Sequence, residues 1–195
     1  MMNSFPHPQP VLQTQRLSLR PFRLEDAADV RRLANERDVA AMTYRLPHPY
    51  PAGLAEEWIR GQEPAYREGR ETVFALTLRD NGGLIGSMGL MVKAEHERAE
   101  VGYWLGKPYW GKGFATEALE AVLEYGFGTL GLRRIFGQLF APNQASARVM
   151  EKAGMIYEGR LRQHVNKWGE YQDLRIYAML ADDPRPWNKR AGEKK

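Results

Sequence analysis

The feature that most constrains the fold of this 195-residue chain is an apolar segment that runs through a glycine-containing turn into an amphipathic helix. The segment is Ala99–Leu105, and the turn is Lys107–Gly113. Gly131 stands where the helix is expected to end. Because strand and helix must both bury an apolar face, the unit predicts a helix packed on a sheet. The predicted helix carries apolar residues at the i, i+3, i+4 spacing of one helical face: Ala118, Leu119, Val122, Leu123, Phe127 and Leu130.

Further strands and helices are predicted on both sides of this unit. Their order favours an α/β or α+β fold, in which helices cover one sheet. Runs of strand length predict six more strands: Gln15–Phe22, Thr72–Arg79, Leu84–Val92, Arg134–Phe140, Met155–Arg162 and Tyr171–Leu180. Helical spacing predicts three more helices: Leu24–Asn35, Leu54–Glu68 and Asn143–Ala153.

Length and composition indicate a single globular domain. The chain has 43% hydrophobic and 27% charged residues, which is typical of globular domains. We predict the domain over residues 11–181, with loosely ordered termini at 1–10 and 182–195, where proline and polar residues are frequent. Cysteine is absent, no segment has the roughly 20 apolar residues of a membrane span, and the N-terminus does not resemble a signal peptide. We therefore expect a cytoplasmic protein without disulfides or a membrane partner.

The charge and the histidines predict no further partner. There are 28 basic and 24 acidic residues, and the resulting net charge of +4 permits an anionic ligand without predicting nucleic acid binding. The histidines lack metal-ligand spacing and have no cysteine beside them, so no metal site is predicted. They are His7, His48, His96 and His164.

The turn before the central helix has the composition of an anion-binding loop. Gly111 and Gly113 allow positive φ angles and a close approach to phosphate, and Lys112 supplies a cation. The N–H groups at the start of the following helix add partial positive charge. An ATP-binding P-loop requires Ser or Thr after a Gly-Lys pair, and a dinucleotide-binding loop requires a third glycine and a later acidic residue. Neither pattern is present.

Several motifs, in this order, resemble the GCN5-related N-acetyltransferase (GNAT) superfamily. The loop Gly111–Ala115 is similar to the pyrophosphate loop of that family. The segments Asn143–Ser146 and Glu151–Met155 are similar to its second motif. The strand Ala99–Leu105 before the loop and the closing hairpin, Glu158–Arg162 with Asp173–Tyr177, are also similar to that family. Together these motifs resemble the ribosomal-protein N-terminal acetyltransferase (RimJ/RimL-like) branch. The resemblance implies a mixed, mainly antiparallel sheet flanked by helices, with a splayed pair of strands that binds the arm of coenzyme A (CoA).

The resemblance extends from Thr14 to Leu180, and it implies acetyl-CoA as the co-substrate and no metal. Two positions depart from the family pattern. Trp110 stands where many members have Gln or Arg, so backbone amides are expected to bind the phosphates. Met150 stands where many members have Tyr, and it cannot act as an acid. The residues implied to bind the co-substrate are Trp104, Leu105, Trp110, Gly111, Lys112, Gly113, Phe114, Ala115, Thr116, Asn143 and Ser146.

Acetyl transfer from a thioester requires a neutral amine, a stabilised oxyanion and a leaving thiolate. The resemblance places Glu100 near the reacting carbonyl as a general base, and a solvated carboxylate at a strand end is the alternative. A backbone N–H at the Trp104–Leu105 end of the strand is the expected oxyanion donor. Ser146 is the candidate proton donor to the CoA thiolate, and an ordinary residue at a helix start is the alternative. Asn143 is expected to hold the CoA arm, to cap the helix, or both.

The resemblance implies an acetyltransferase and leaves its acceptor open. We expect a protein N-terminal α-amine, whose pKa of about 8 requires little help from a base at pH 7. The alternatives are a small-molecule amine, such as an antibiotic, an amino acid or a polyamine, and a non-catalytic acyl-CoA-binding protein. The acceptor is expected to contact Val39–Glu57, which is aromatic and proline-rich but not strongly acidic, and this argues against a polyamine. The family also implies a possible homodimer.

Overall fold

The computed structural model describes residues 5–187. The strands in this range are β1 (Leu12–Gln13), β2 (Leu17–Arg20), β3 (Glu71–Leu78), β4 (Leu84–Lys93), β5 (Arg98–Leu105), β6 (Arg134–Phe140), β7 (Ile156–Lys167) and β8 (Glu170–Leu180). The α-helices are α1 (Ala27–Ala34), α2 (Arg37–Ala41), α3 (Leu54–Arg60), α4 (Gln62–Arg67), α5 (Phe114–Glu124) and α6 (Gln144–Lys152).

These strands form one sheet in the order β1-β2-β3-β4-β5-β6-β8-β7. Neighbouring strands are antiparallel except β5 and β6, which are parallel and are connected through α5. The parallel pair runs only from Arg98 opposite Arg134 to Val101 opposite Gly137. Beyond this point the two strands no longer pair. The predicted fold, a mainly antiparallel mixed sheet with one splayed strand pair, is confirmed.

Helices cover both faces of the sheet and bury two groups of apolar side chains. On one face, α5 and α6 contribute Leu119 and Met150 to the larger core. On the other face, α1 and α3 contribute Val30 and Ile59 to a smaller core. Helices α5 and α6 therefore lie behind the parallel strand pair, and α1 and α3 lie in front of it.

The predicted helix Leu54–Glu68 is wrong as a single element, because α3 ends at Arg60 and α4 begins at Gln62. Pro64 explains the interruption: proline has no N–H and is tolerated only in the first turn of a helix. The structure also contains α2 and β1, which the sequence did not predict. They are five and two residues long, too short to show a periodic pattern.

The ends of other predicted elements differ by several residues. The strand predicted to end at Arg162 continues to Lys167 as β7, because this part of the hairpin is exposed and has no apolar alternation. The helix predicted to end at Gly131 is α-helical only to Glu124 and continues as a π-helical turn, Tyr125–Thr129. Gly131 then has a φ angle of 69°, as expected for a residue that ends a helix.

The predicted loose termini are described only in part, because residues 1–4 and 188–195 lie outside the described range. In the described part, the Pro6 carbonyl accepts a hydrogen bond from the Tyr66 hydroxyl. Arg185 pairs with Glu124 at 2.7 Å. The domain bounds of 11–181 stay a prediction. Between residues 5 and 187, no helix is both long and apolar enough to cross a membrane.

Candidate active site

The predicted phosphate loop is the turn Lys107–Gly113, and its two glycines adopt the positive φ angles that the sequence predicts. The φ angles of Gly111 and Gly113 are 72° and 81°, values that residues with a side chain rarely adopt. The Trp110 indole Nε1 donates a hydrogen bond to the Leu105 carbonyl at 2.7 Å. Trp110 therefore ties the loop to the end of β5, and its indole N–H is engaged within the protein.

Helix α5 begins directly after this loop and carries unpaired N–H groups at its start. Its N-cap residue, Gly113, provides no side-chain hydrogen bond. The N–H of Glu117 donates to the Gly113 carbonyl, so the preceding N–H groups of Phe114, Ala115 and Thr116 have no acceptor within the helix. Such groups, together with the helix dipole, form an anion site.

An ion pair that the sequence did not predict holds the loop from its other side. Glu117 accepts hydrogen bonds from the Thr14 hydroxyl at 2.6 Å and from Nε and the backbone N–H of Arg16, both at 2.7 Å. Arg16 also donates to the Lys112 carbonyl at 2.9 Å and lies 4.5 Å from the Phe114 ring centre. Burial raises the pKa of Glu117, but hydrogen bonds from Thr14 and Arg16 outweigh it, so this pKa is lower than usual.

The gap between β5 and β6 opens into a cavity of about 440 Å³. Side chains alternate along β5, so Glu100 and Trp104 face the α1 and α3 side, whereas Tyr103 faces the α5 and α6 side. All three residues line the cavity, and so does Ser146 of α6. The structure therefore brings the two predicted catalytic residues, Glu100 and Ser146, to one cavity from opposite sides of the sheet.

The end of β5 also presents a backbone donor to this gap. The Gly106 N–H donates to the Ile85 carbonyl of β4 at 2.9 Å, and Trp104 lies opposite Ser87. Hydrogen bonds alternate along an antiparallel pair, so the Leu105 N–H points away from β4 and toward the gap. Of the two residues predicted to supply the oxyanion donor, Leu105 is the one with this orientation.

Glu100 lies in a row of side chains that crosses three strands. The register aligns Glu71 of β3, Met91 of β4 and Glu100 of β5. The Tyr44 hydroxyl donates a hydrogen bond to Glu100 Oε1 at 3.1 Å, which orients the carboxylate. Burial, and then the charge of Glu100, raise the pKa of Tyr44, so its hydroxyl stays protonated as a donor. Tyr44 belongs to the segment expected to contact the acceptor, although the sequence did not single it out for this role.

The acceptor side of the cavity has an open floor and largely aromatic walls. Gly89 lies opposite Gly102 on the floor. A Cβ atom added at Gly102 would have only the Met91 methyl carbon within 4 Å, at 3.4 Å. The walls are formed by Tyr44, Tyr50, Leu54 and Trp58. The floor therefore has room for an acceptor beside Glu100.

Asn143 and Ser146 stand at the start of α6. The buried Asn143 accepts a hydrogen bond on Oδ1 from the Ser146 N–H at 3.0 Å, so Asn143 caps the helix. Its contact with the CoA arm stays a prediction. Met150 packs so closely on Gly137 that a Cβ atom added there would lie 2.4 Å from the Met150 methyl carbon. Met150 is therefore a core residue. The phenol on this side of the cavity is Tyr103, which only the alternation along β5 could have indicated.

The tip of the β7–β8 hairpin contacts the predicted acceptor segment. Lys167 Nζ donates to the Leu46 carbonyl at 2.8 Å. The Trp168 ring lies 6.2 Å from the His48 ring, centre to centre. Burial lowers the pKa of Lys167. Since Leu46 lines the cavity, the hairpin tip supports one of its walls.

Sequence comparison defines the class of protein. A family model described as an acetyltransferase (GNAT) domain matches residues 16–156. The chain therefore belongs to the GNAT family, and the predicted acetyl-CoA-dependent N-acetyltransferase class is confirmed. The uncharacterized N-acetyltransferase YoaA of Bacillus subtilis (strain 168) is 34% identical over 172 residues, which cover 88% of this chain and 97% of YoaA. The ribosomal-protein-serine acetyltransferase of Escherichia coli (strain K12) is 28% identical over 125 residues, which cover 64% of this chain and 69% of that protein.

Solved structures share the fold. A GNAT-family acetyltransferase from Bacillus anthracis has a TM-score of 0.80 at 26% identity and covers 89% of this chain and 100% of its own. RimL, a ribosomal L7/L12 α-N-protein acetyltransferase solved with CoA, has a TM-score of 0.81 at 18% identity and covers 88% and 98%. Spermidine N-acetyltransferase from Vibrio cholerae, solved with CoA and spermine, has a TM-score of 0.75 at 24% identity and covers 86% and 96%.

Proposed function

We propose that this protein transfers the acetyl group of acetyl-CoA to the α-amine of a protein N-terminus. The observation that carries the proposal is the continuous cavity between β5 and β6. Glu100 borders it on the open acceptor side, and Ser146 borders it on the side of the sheet covered by α5 and α6. A thioester in this gap is accessible to an amine from the acceptor side, while the rest of CoA extends toward the start of α5.

The proposed mechanism uses the residues that border the gap. Glu100, held by Tyr44, takes a proton from the amine directly or through water, and the neutral nitrogen attacks the thioester carbonyl. The oxyanion that forms accepts a hydrogen bond from the Leu105 N–H. When the carbon–sulfur bond breaks, Ser146 is the proposed proton donor to the CoA sulfur, and its hydroxyl takes up a proton from solvent in the same step. The N–H groups of the loop and of the first turn of α5 bind the pyrophosphate.

The charges around the cavity favour an acceptor with one positive charge. Two carboxylates line it, those of Glu71 and Glu100. Met91 lies between them in the row, and Arg45 Nη1 is 2.9 Å from the Met91 sulfur. The guanidinium group stands where the middle of a polyamine would lie if the polyamine spanned both carboxylates, and it would repel that chain. The N-terminus of a peptide carries a single ammonium group and avoids this repulsion.

Release of CoA thiol from acetyl-CoA tests the proposal. The acceptors are peptides with different N-terminal residues, free amino acids, spermidine and an aminoglycoside, and mass spectrometry locates the acetyl group. We expect N-terminal peptides to be acetylated at the α-amine. Faster turnover of spermidine or another small amine than of every peptide would contradict the proposed acceptor. Binding of acetyl-CoA without turnover of any acceptor would support the non-catalytic alternative.

Glu100→Gln tests the proposed base in the same assay. We expect turnover to fall by about 10²- to 10⁴-fold, with no change in the KM of acetyl-CoA, because Glu100 lies on the acceptor side. Glu95→Gln is the matched control, since Glu95 is an exposed carboxylate that does not line the cavity. Equal rates for Glu100→Gln and the unmodified protein from pH 6 to 9 would remove Glu100 from the mechanism. The predicted homodimer is tested by light scattering, and the cytoplasmic location stays a prediction.

A further inference from the structure

Tyr103 carries a buried hydroxyl group that has no hydrogen-bond partner among the described residues. The residue lies two positions beyond Val101, the last residue of β5 that pairs with β6. Its side chain lines the cavity on the α5 and α6 side, opposite to Glu100. Burying a hydroxyl without a partner is unfavourable, and such groups are rare in folded proteins. A group that enters the cavity can therefore satisfy it.

The surroundings of Tyr103 limit what this group can be. Ser146 and Met150 line the same part of the cavity. Met150 is packed on Gly137 and offers no proton. The Ser146 hydroxyl is close enough to lower the pKa of Tyr103, but it does not meet the Tyr103 hydroxyl in hydrogen-bonding geometry. The unpaired phenol thus faces the side of the gap from which CoA is expected to enter, next to the residue proposed to protonate its sulfur.

We propose that the Tyr103 hydroxyl is a fixed hydrogen-bond donor to the CoA sulfur and stabilises the thiolate as it leaves. This inference rests on the proposed function. The amine nitrogen forms a bond to the carbonyl carbon, and the carbonyl electron pair moves to oxygen. When the carbonyl re-forms, the carbon–sulfur bond breaks and its electron pair stays on sulfur. The proton lost by the amine leaves through Glu100, and the thiolate takes up a proton through Ser146 or from solvent.

The acidity of Tyr103 decides between donating a hydrogen bond and transferring a proton. Burial raises the pKa of Tyr103 to about 12, although the nearby Ser146 hydroxyl lowers it by a smaller amount. A thiol has a pKa of about 8.5, so complete proton transfer from Tyr103 to the thiolate is unfavourable by more than about 1000-fold. Tyr103 therefore keeps its proton at neutral pH and acts as a hydrogen-bond donor there.

The pH dependence of CoA binding tests this role without an acceptor. A donor to the sulfur lowers the pKa of the bound thiol, so calorimetry should show CoA affinity rising by about tenfold or more as the pH rises toward 8.5. Tyr103→Phe should lose most of this increase. Desulfo-CoA, which lacks the sulfur, should show none of it with either protein. Tyr171→Phe is the matched control, since Tyr171 is 68% exposed and does not line the cavity.

Two results would overturn the inference. If Tyr103→Phe shows the same pH-dependent gain in CoA affinity as the unmodified protein, Tyr103 does not contact the sulfur. If the unmodified protein binds neither CoA nor acetyl-CoA, the proposed function fails and this inference fails with it. The first result leaves the proposed function intact, so the two failures are distinguishable.

Thermal unfolding without ligand provides an independent readout. Tyr103→Phe removes an unpaired buried hydroxyl, so its unfolding midpoint should equal or exceed that of the unmodified protein. Tyr66→Phe is the comparison, because the Tyr66 hydroxyl donates to the Pro6 carbonyl and its loss should lower the midpoint. A clear loss of stability in Tyr103→Phe would show that the hydroxyl has a structural partner, which would overturn the inference.

Discussion

The contact between Glu117 and Arg16 should determine how well the phosphate loop is ordered. Glu117 accepts three hydrogen bonds, one from Thr14 and two from Arg16, and its side chain is only 16% exposed. Through Arg16 the contact reaches the Lys112 carbonyl in the middle of the loop. Removal of this carboxylate therefore perturbs both the stability of the fold and the binding of acetyl-CoA.

The size of the effect follows from the three contacts of Glu117. Hydrogen bonds to a charged group contribute about 1.5–3 kcal/mol each when both partners are buried. The Arg16 guanidinium is 43% exposed and regains water, so its share is about 0–1 kcal/mol. Thr14 keeps its hydrogen bonds with the backbone of Leu17. We therefore expect Glu117→Ala to lower the free energy of unfolding by about 2–3 kcal/mol, and Glu117→Gln, which keeps an acceptor, by about half as much.

Thermal unfolding and steady-state kinetics measure the two consequences. For a chain of this size, 2–3 kcal/mol corresponds to a decrease of about 4–12 °C in Tm. Weakening the hydrogen bond from Arg16 to the Lys112 carbonyl should raise the KM of acetyl-CoA by about tenfold, which corresponds to 1.4 kcal/mol of binding energy. The kcat value should change little, because neither residue borders the gap where the acetyl group transfers.

The pKa of Glu117 adds a condition to this prediction. Because hydrogen bonds from Thr14 and Arg16 lower this pKa in the folded state, the stabilisation is complete above the ordinary value of 4.5. It disappears as the pH falls through the lower, folded-state pKa. The difference in stability between Glu117→Gln and the unmodified protein should therefore shrink below about pH 4.5.

Glu63→Ala is the matched control for this experiment. Glu63 pairs with Arg67 on the surface of α4, and its side chain is 68% exposed. Exposed pairs contribute about 0–1 kcal/mol, so both Tm and the KM of acetyl-CoA should stay close to their original values. The reasoning is refuted if Glu117→Ala behaves like Glu63→Ala in both assays.

Three further substitutions test other parts of the structure. Gly102→Val fills the open floor and should raise the KM of the acceptor by about tenfold, with the KM of acetyl-CoA unchanged in the CoA-release assay. Met150→Tyr introduces the residue common in the family but overpacks the contact with Gly137, and denaturant unfolding should show a loss of about 1–3 kcal/mol. Asp26→Asn weakens the bidentate ion pair with Arg20 and should lower the free energy of unfolding by about 2 kcal/mol at pH 7. Burial raises the pKa of Asp26, but hydrogen bonds from Arg20 and the backbone lower it by more, so the pKa lies below its usual value. The difference in stability between Asp26→Asn and the unmodified protein should therefore vanish when unfolding is measured at acidic pH.

The features that the sequence predicted correctly are those that depend on neighbours along the chain. The positive φ angles of Gly111 and Gly113 follow from a turn between one strand and one helix. The cap of Asn143 on Ser146 spans three residues. The order of strands and helices likewise follows from local periodicity, and the motif resemblance then fixed the type of sheet.

The features that the sequence did not predict depend on contacts between distant residues. Arg16 and Glu117 are 101 positions apart, and Tyr44 and Glu100 are 56 positions apart. Nothing in the residues next to Glu100 shows that a hydroxyl orients its carboxylate. The unpaired state of the Tyr103 hydroxyl is also a result of packing, because it depends on where α6 places its side chains around β5. Such contacts can be recognised only once the sheet has been assembled.

The two departures from the family pattern support placing the chemistry on β5. Trp110 donates its N–H to the Leu105 carbonyl, which fixes the end of β5 against the loop. Met150 fills the space over Gly137 and removes a phenol from α6, while Tyr103 brings one to the same cavity from β5. The proposed base Glu100, the oxyanion donor Leu105 and Tyr103, the hydrogen-bond donor to the CoA sulfur, then all belong to β5. The other edge of this strand pairs with β4. Groups carried on a paired strand are held in fixed relative positions, and such preorganisation lowers the barrier to acetyl transfer.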